Sequence, residues 1–278
     1  MKKLYNLWLM AVTLLLTVAC TSEVDDVFDQ TAGNRIDQAI ADYQTVLRSA
    51  SNGWVLNYYP SPTQEYGGYT LLVRFHDNGM ADVSCELFQA DKVCSGSYNV
   101  ENSAGPMLTF NTYNEVFHFF TEPANALGIG DNGKGMEGDS DFLIVKCTND
   151  EVILEGKKTD NRMVMRPLPA GTDWANYLQS IKQITREAYP AAYEVNIDNQ
   201  LMYKVIQRYR KFILTNADGS TVELPFHYTP EGIRFSEDLS LATLKVKDLQ
   251  WNQEKMNFSN ESSHCITQEL YSLQPICR

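Results

Sequence analysis

Five glycines and four carboxylates lie within the fourteen residues from Gly128 to Asp141, the most unusual stretch of the chain. Calcium takes several hard oxygen ligands on a tightly turning backbone, and glycine permits such turns. Asp131, Glu137, Asp139 and Asp141 are therefore candidate metal ligands, with calcium the one cofactor they would suit. The spacing is not that of an EF-hand, Lys134 stands in the middle, and a solvated acidic loop between strands is the plainer reading. Without a Lys-Ser/Thr ending the loop is no phosphate cradle. Paired carboxylates are also the equipment of glycoside hydrolysis, and on a strand Asp139 and Asp141 would point to one face. A hydrolase working through the 128–141 carboxylates is thus one functional alternative. A Ser-His-Asp hydrolase is not indicated, because Gly-x-Ser-x-Gly is absent. The four histidines, His76, His118, His227 and His264, show no metal-ligand spacing, and His118 reads as a strand residue opposite Phe117 and Phe119. With no catalytic motif above background, the expectation is a non-enzyme.

Aromatic residues are the stronger lead. Trp54, Tyr58, Tyr59, Tyr66 and Tyr69 fall within sixteen residues. Flat rings bind sugar faces or apolar peptide groups while tyrosine hydroxyls stay hydrated. Trp54, Tyr59, Tyr66 and Tyr69 are accordingly the candidate ligand-binding residues, for a glycan or a peptide. Aromatic residues also simply suit strands. Trp54, Leu56 and Tyr58 share one face and read as core, whereas Tyr66, in the loop Gln64 to Gly68, is expected to be exposed.

The start of the chain addresses it to the cell envelope. Lys2 and Lys3 precede an uncharged apolar run from Leu4 to Val18, which ends in Thr17-Val18-Ala19-Cys20. A basic start, a short apolar run and small residues before a cysteine read as a lipoprotein signal peptide over 1–19. Cys20 is then the acylated residue and the only membrane anchor, since the run is short for a span of roughly twenty residues. Acidic residues follow in Glu23, Asp25, Asp26 and Asp29, so 20–33 reads as a tether. An outer-membrane location facing the cell surface is expected, with the periplasmic face as the alternative.

Charge narrows the partners. Lys and Arg number 23 against 35 Asp and Glu, a net charge of −12, with no Lys/Arg cluster along the sequence. A nucleic-acid binder needs a basic footprint, so that class is excluded. Six cysteines remain compatible with an envelope protein. Cys85 and Cys94 flank a hairpin and Cys265 and Cys277 enclose the C-terminal segment, making two candidate disulfides, with Cys147 left free. Buried free thiols would fit the same positions.

These residues must be held by some scaffold, and the hydrophobic periods indicate which. Ile36, Ile40, Tyr43, Leu47 and Ala50 form a helical stripe, capped by Asn34 and ended by Gly53. Short strand-like runs follow: 54–59, 69–75, 80–86, 95–100, 107–112, 115–121, 141–147, 152–156 and 162–166. Asn78-Gly79 is a strong hairpin turn between two of them. Pro167 to Gly171 marks a boundary, after which Thr172 can cap a second helix with the stripe Trp174, Leu178, Ile181, Thr185 and Ala188. Strand candidates then recur at 201–207, 211–216, 221–226, 233–236, 242–249 and 256–259. The expected fold is mainly β with few helices: antiparallel meanders, as a lipocalin-like barrel or half-barrel, in two consecutive helix-plus-strands units over 34–170 and 171–278.

Several of these motifs carry a resemblance. The Cys20 lipobox and acidic tether lead it, followed by the helix ending at Gly53-Trp54 with Tyr58-Tyr59-Pro60. Gly67-Gly68-Tyr69 leading into Phe75, Gly138 to Phe142, and Phe226 to Gly232 complete it. Together they resemble a Bacteroidetes family of uncharacterised lipoproteins, a domain of unknown function, over most of 34–258. The resemblance implies an accessory of outer-membrane nutrient uptake, partnered with a TonB-dependent transporter and surface lipoprotein pair. It carries over no catalytic residue, and the segment with Cys265 and Cys277 does not match it. The expected function is non-enzymatic ligand capture, and the first alternative is a structural lipoprotein packing on the transporter complex.

Overall fold

The computed structural model describes residues 31–188, 192–197, 200–216, 218–241 and 244–259. The first unit opens with helix α1 (Ala32–Ser49) and continues through β1 (Trp54–Tyr58), β2 (Tyr69–Phe75), β3 (Met80–Cys85), β4 (Cys94–Asn102) and β5 (Pro106–Phe110). After the short helix α2 (Glu115–His118) come β6 (Asp141–Cys147), β7 (Val152–Gly156) and β8 (Arg162–Pro167). Sequence neighbours pair antiparallel, and β8 returns to β1 with Leu56 opposite Met165, closing an eight-stranded barrel. The second unit opens with α3 (Trp174–Glu187), followed by β9 (Ala192–Ile197), β10 (Gln200–Arg208), β11 (Lys211–Thr215), β12 (Thr221–Tyr228), β13 (Gly232–Leu241), β14 (Leu244–Asn252) and β15 (Asn257–Ser259). These seven strands make one open sheet in sequence order. The chain is thus a mainly β protein of two helix-plus-meander units. No helix among the described residues is long and apolar enough to cross a membrane.

Alternation of side chains builds both faces of the barrel wall. Trp54, Leu56 and Tyr58 of β1 and Met163 and Met165 of β8 point inward and are buried. Eight strands leave an interior that side chains can just fill. Here Tyr58, Phe110, Phe117, Phe120 and Phe142 fill it, with Phe110 and Phe117 stacked at 4.0 Å and Tyr58 tilted over Phe120 at 4.6 Å. The closure is lipocalin-like but the interior is packed. Outward residues of β2 are buried too, because Leu72 joins the core that α3 forms with the second sheet through Leu178, Ile181 and Ile184.

Three local expectations change. Thr31, not Asn34, caps α1, its Oγ1 accepting from Asn34 N at 3.3 Å. Asp173, not Thr172, caps α3, accepting from Asn176 N at 2.8 Å. Residues 115–121, expected as a strand, form the α2 turn. Asn114 Oδ1 accepts from Val116 N and Phe117 N at 3.1 and 3.0 Å, which starts a helical turn. Val116, Phe117, Phe119 and Phe120 are all buried, a pattern a two-residue period cannot supply. His118 therefore lies on a turn, its ring folded back against Asn114. β9 was not anticipated, although Tyr193, Val195 and Ile197 alternate in its sequence.

Tyr58 ties the acidic loop to this core. Its hydroxyl donates to Asp139 O at 2.8 Å and accepts from Asp139 N at 2.7 Å, fully buried. Tyr58→Phe leaves a buried N–H and carbonyl without that partner, so a loss of about 1–3 kcal/mol is expected in urea unfolding.

Candidate functional site

The residues singled out in the sequence do not assemble into one site. The glycine-rich loop turns on itself, with Lys134 N and Gly135 N both donating to Asp131 O at 3.0 and 2.9 Å. Met136 plugs into the barrel core and Asp131 stays exposed at the rim. Asp139 is buried, and its carboxylate accepts from Lys158 N at 2.6 Å, Thr159 N at 3.2 Å and Thr159 Oγ1 at 2.6 Å. These bonds pin the β7–β8 turn and occupy both carboxylate oxygens. Among the described residues no three His, Cys, Asp or Glu side chains gather in a way that would hold a metal. Asp131, Glu137, Asp139 and Asp141, the calcium candidates, are not brought together as one ligand set, and the loop's turns deliver Met136 and Asp139 to the core.

The aromatic candidates part company in the structure. Trp54, Tyr59, Tyr66 and Tyr69 are 0%, 4%, 2% and 3% exposed; Tyr59 lines one of the two cavities described below, and the other three line neither. Trp54 Nε1 donates to Leu47 O at 2.7 Å and fastens α1 to the barrel. Tyr66, expected outside, packs edge-on against Tyr209 at 5.2 Å, and Tyr69 lies 4.0 Å beneath the Arg210 guanidinium. Both belong to the joint between the two units.

Cys85 and Cys94 are free, which removes that candidate disulfide. Cys94 pairs with Val83, two residues off register from Cys85. Such diagonal neighbours sit about 7–8 Å apart, beyond the about 4.4–6.8 Å that a bridge spans. Burial pushes the Cys85 thiol up to about 12 and the Cys147 thiol likewise to about 12, so both are poor nucleophiles. Cys20, Cys265 and Cys277 lie outside the described residues.

The joint between barrel and sheet is where polar chemistry does collect. Arg210 and Glu86 form a buried two-pronged pair, Nη1–Oε1 at 2.7 Å and Nη2–Oε2 at 3.2 Å. Arg210 Nη1 also donates to Gly68 O at 2.9 Å, and Thr70 N donates to Glu86 Oε1 at 2.7 Å. The chain at Gly67 passes so close that a Cβ there would stand 2.2 Å from Arg210 O, and its φ of +67° also favours glycine.

Beside this joint two adjoining cavities open, each of about 410 Å³, sharing Asn57, Arg166, His227 and Arg234. The strand period explains the walls. On the barrel side Val55 and Asn57 of β1 and Arg162, Val164 and Arg166 of β8 are the outward residues. On the sheet side His227 pairs with Arg234, and Arg234 with Asp248, placing all three on one face. The first cavity includes the carboxylates Glu231 and Asp248. The second is lined by ten described residues, of which Arg162, Arg166, Arg234 and Lys247 are cationic and none is a carboxylate.

His227 forms the floor. It is 3% exposed, and Tyr59 Oη lies 2.8 Å from its Nδ1. Burial foremost, and then the charges of Arg234, Arg210, Lys247 and Arg166, lower the imidazole to about 3. It is neutral across the physiological range. Burial likewise raises the Tyr59 phenol, which keeps its hydrogen. The direction of the hydrogen bond between the two follows from the tautomer of the neutral imidazole. The cleft thus combines four cations, one neutral imidazole and the amide of Asn57.

Sequence reasoning passed over these residues. Arg162-Met163-Val164-Met165-Arg166 does carry a strand signal, two arginines on the polar face of an alternating run. Their partners Arg234 and Lys247 stand some seventy residues on or more, and only folding brings them near.

The model of one protein family, described as a domain of unknown function (DUF4302), matches residues 24–253, which takes in the whole barrel and the second sheet through β14. No curated protein and no solved structure matches the chain.

Proposed function

The chain belongs to the DUF4302 family, and on that premise we propose that it is a lipid-anchored cell-envelope protein that captures a small ligand without turning it over, as an accessory of outer-membrane nutrient uptake. The observation that carries the reading is the pair of adjoining cavities at the joint of barrel and sheet, each of about 410 Å³. That is the size of site that takes a small organic molecule. Both walls are strands of packed units, so the site is preformed and loses little to ordering on binding. The anchor reading rests on the basic start, the short apolar run and Cys20, and the outward orientation on the acidic residues that follow it. In this arrangement the protein concentrates its ligand beside a TonB-dependent transporter and surface lipoprotein pair.

Two measurements test it. Wild-type protein is expected to incorporate labelled palmitate and to sediment with the membrane, whereas Cys20→Ala loses the label and appears in the soluble fraction. An unlabelled wild type would remove the anchor. Calorimetry against glycans and peptides should give saturable binding that depends on cleft residues. Saturable binding that is insensitive to every cleft substitution would place the site elsewhere.

A further inference from the structure

We infer that the second cavity binds an oxyanion group carried on a small organic molecule, which rests on the ligand-capture reading above and supplies its ligand class.

The whole chain carries a net charge of −12, yet this cavity is walled by Arg162, Arg166, Arg234 and Lys247 with no carboxylate among its described lining. A cleft lined by one sign of charge between low-dielectric walls focuses the field and raises the local concentration of counter-ions. Here one wall is the packed barrel and the other the packed sheet. Acids stand beside three of these cations without lining this cavity, Glu155 lying opposite Arg162 in the β7–β8 register. Arg166 meets Glu151 through Nη2 at 2.8 Å, and Arg234 meets Asp248 through Nε. Neither contact is the two-nitrogen fork that Arg210 makes with Glu86. A guanidinium has five N–H donors in a planar fork, so each arginine keeps donors for a second oxyanion. Lys247 donates to Ser236 O at 2.9 Å, and both residues line the cavity.

The floor is suited to the same ligand. A protonated histidine there would add to a site already crowded with cations, and burial against those cations instead keeps His227 neutral. Its ring adds a polar surface without adding charge. Asn57 can serve the hydroxyl groups of the organic body, and Val164 an apolar face. Guanidinium forks fit carboxylate, sulfate and phosphate alike, so the experiment distinguishes the carriers.

The test is isothermal titration of the full folded chain with D-glucuronate, D-glucose, inorganic sulfate and inorganic phosphate, at low and at moderate salt. D-glucuronate is expected to bind at least tenfold more tightly than D-glucose, and more weakly as salt rises. Arg162→Gln/Arg166→Gln, both on the exposed face of β8, should lose at least tenfold in affinity with the melting temperature unchanged. A second variant, Lys247→Gln, should weaken binding in the same direction. Sulfate or phosphate binding as tightly as D-glucuronate would support the oxyanion site and identify the free ion as its ligand. D-Glucose binding as tightly as D-glucuronate, with both variants silent, would overturn the oxyanion assignment and leave ligand capture standing. Silence with all four probes, and with the neutral glycans and peptides above, would overturn both.

Discussion

Replacing Arg210 by methionine is expected to destabilise the fold by about 3–5 kcal/mol, the cost of stranding one partner of a buried ion pair. Glu86 has 1% of its side chain exposed and Arg210 8%, so water cannot replace the lost partner. With the guanidinium gone, the Glu86 carboxylate retains the amide of Thr70 as its hydrogen-bond donor, and Gly68 O loses its donor from Arg210. The rings of Tyr69 and Tyr228, at 4.0 and 5.2 Å from the guanidinium carbon, lose the cation between them. Urea unfolding followed by tryptophan fluorescence measures the loss. The double variant Arg210→Met/Glu86→Gln should recover a large part of it, because a glutamine oxygen still accepts from Thr70 N and no charge is left buried. A single variant that costs less than about 1 kcal/mol, or a double variant no better than the single, would show that this pair is not the lock between the units.

Acid should weaken the same joint through His227. In the unfolded chain a histidine takes its proton near pH 6.5. In the folded chain burial and the surrounding cations hold His227 at about 3. Between those values the unfolded state binds a proton that the native state refuses, so stability is complete above about pH 6.5 and declines as the pH falls toward 3. The slope is about 1.4 kcal/mol per pH unit, and the whole window amounts to about 5 kcal/mol, a large part of the stability of an ordinary domain. Asp82 and Glu151, both held below their ordinary values, add acid sensitivity of their own. That contribution falls mainly below about pH 5, in the carboxylate range. The informative interval is therefore pH 6.5 to 5, where wild type should lose about 2 kcal/mol. His227→Gln, which keeps a hydrogen-bonding partner for Tyr59, should be nearly flat there. Parallel profiles for the two proteins would mean that His227 is protonated in the native state, and the neutral floor of the cleft would be lost with it.

The arrangement of elements was largely legible before folding. Asn78-Gly79 sets the hairpin between β2 and β3, and the alternation of Trp54, Leu56 and Tyr58 sets the inner face of β1. Each is a local signal with a local cause, a turn conformation or a two-residue period. The α2 turn was misread for the same kind of reason. A run of aromatic residues with a histidine among them suits a strand until the Asn114 cap and fourfold burial are weighed. The proposed sites fared differently. Tyr66 and Tyr69 have the composition of a ligand platform, but what covers them is Tyr209 and Arg210, more than a hundred residues later, while Tyr59 lines the cavity beside His227. Asp139 has the composition of a metal ligand, but Thr159 and the backbone of Lys158 occupy it first.

By itself the sequence determined the β architecture, its division into two helix-led meanders and the acidic character of the chain, because periodicity, turns and net charge are sums over neighbours or over the whole chain. Which polar groups are buried, which cysteines lie off register and where positive charge concentrates were decided only by the closing of the barrel and its docking on the sheet. Burial and charge density are properties of distance in space, and β8 faces β13 and β14 across one cavity only in the packed structure.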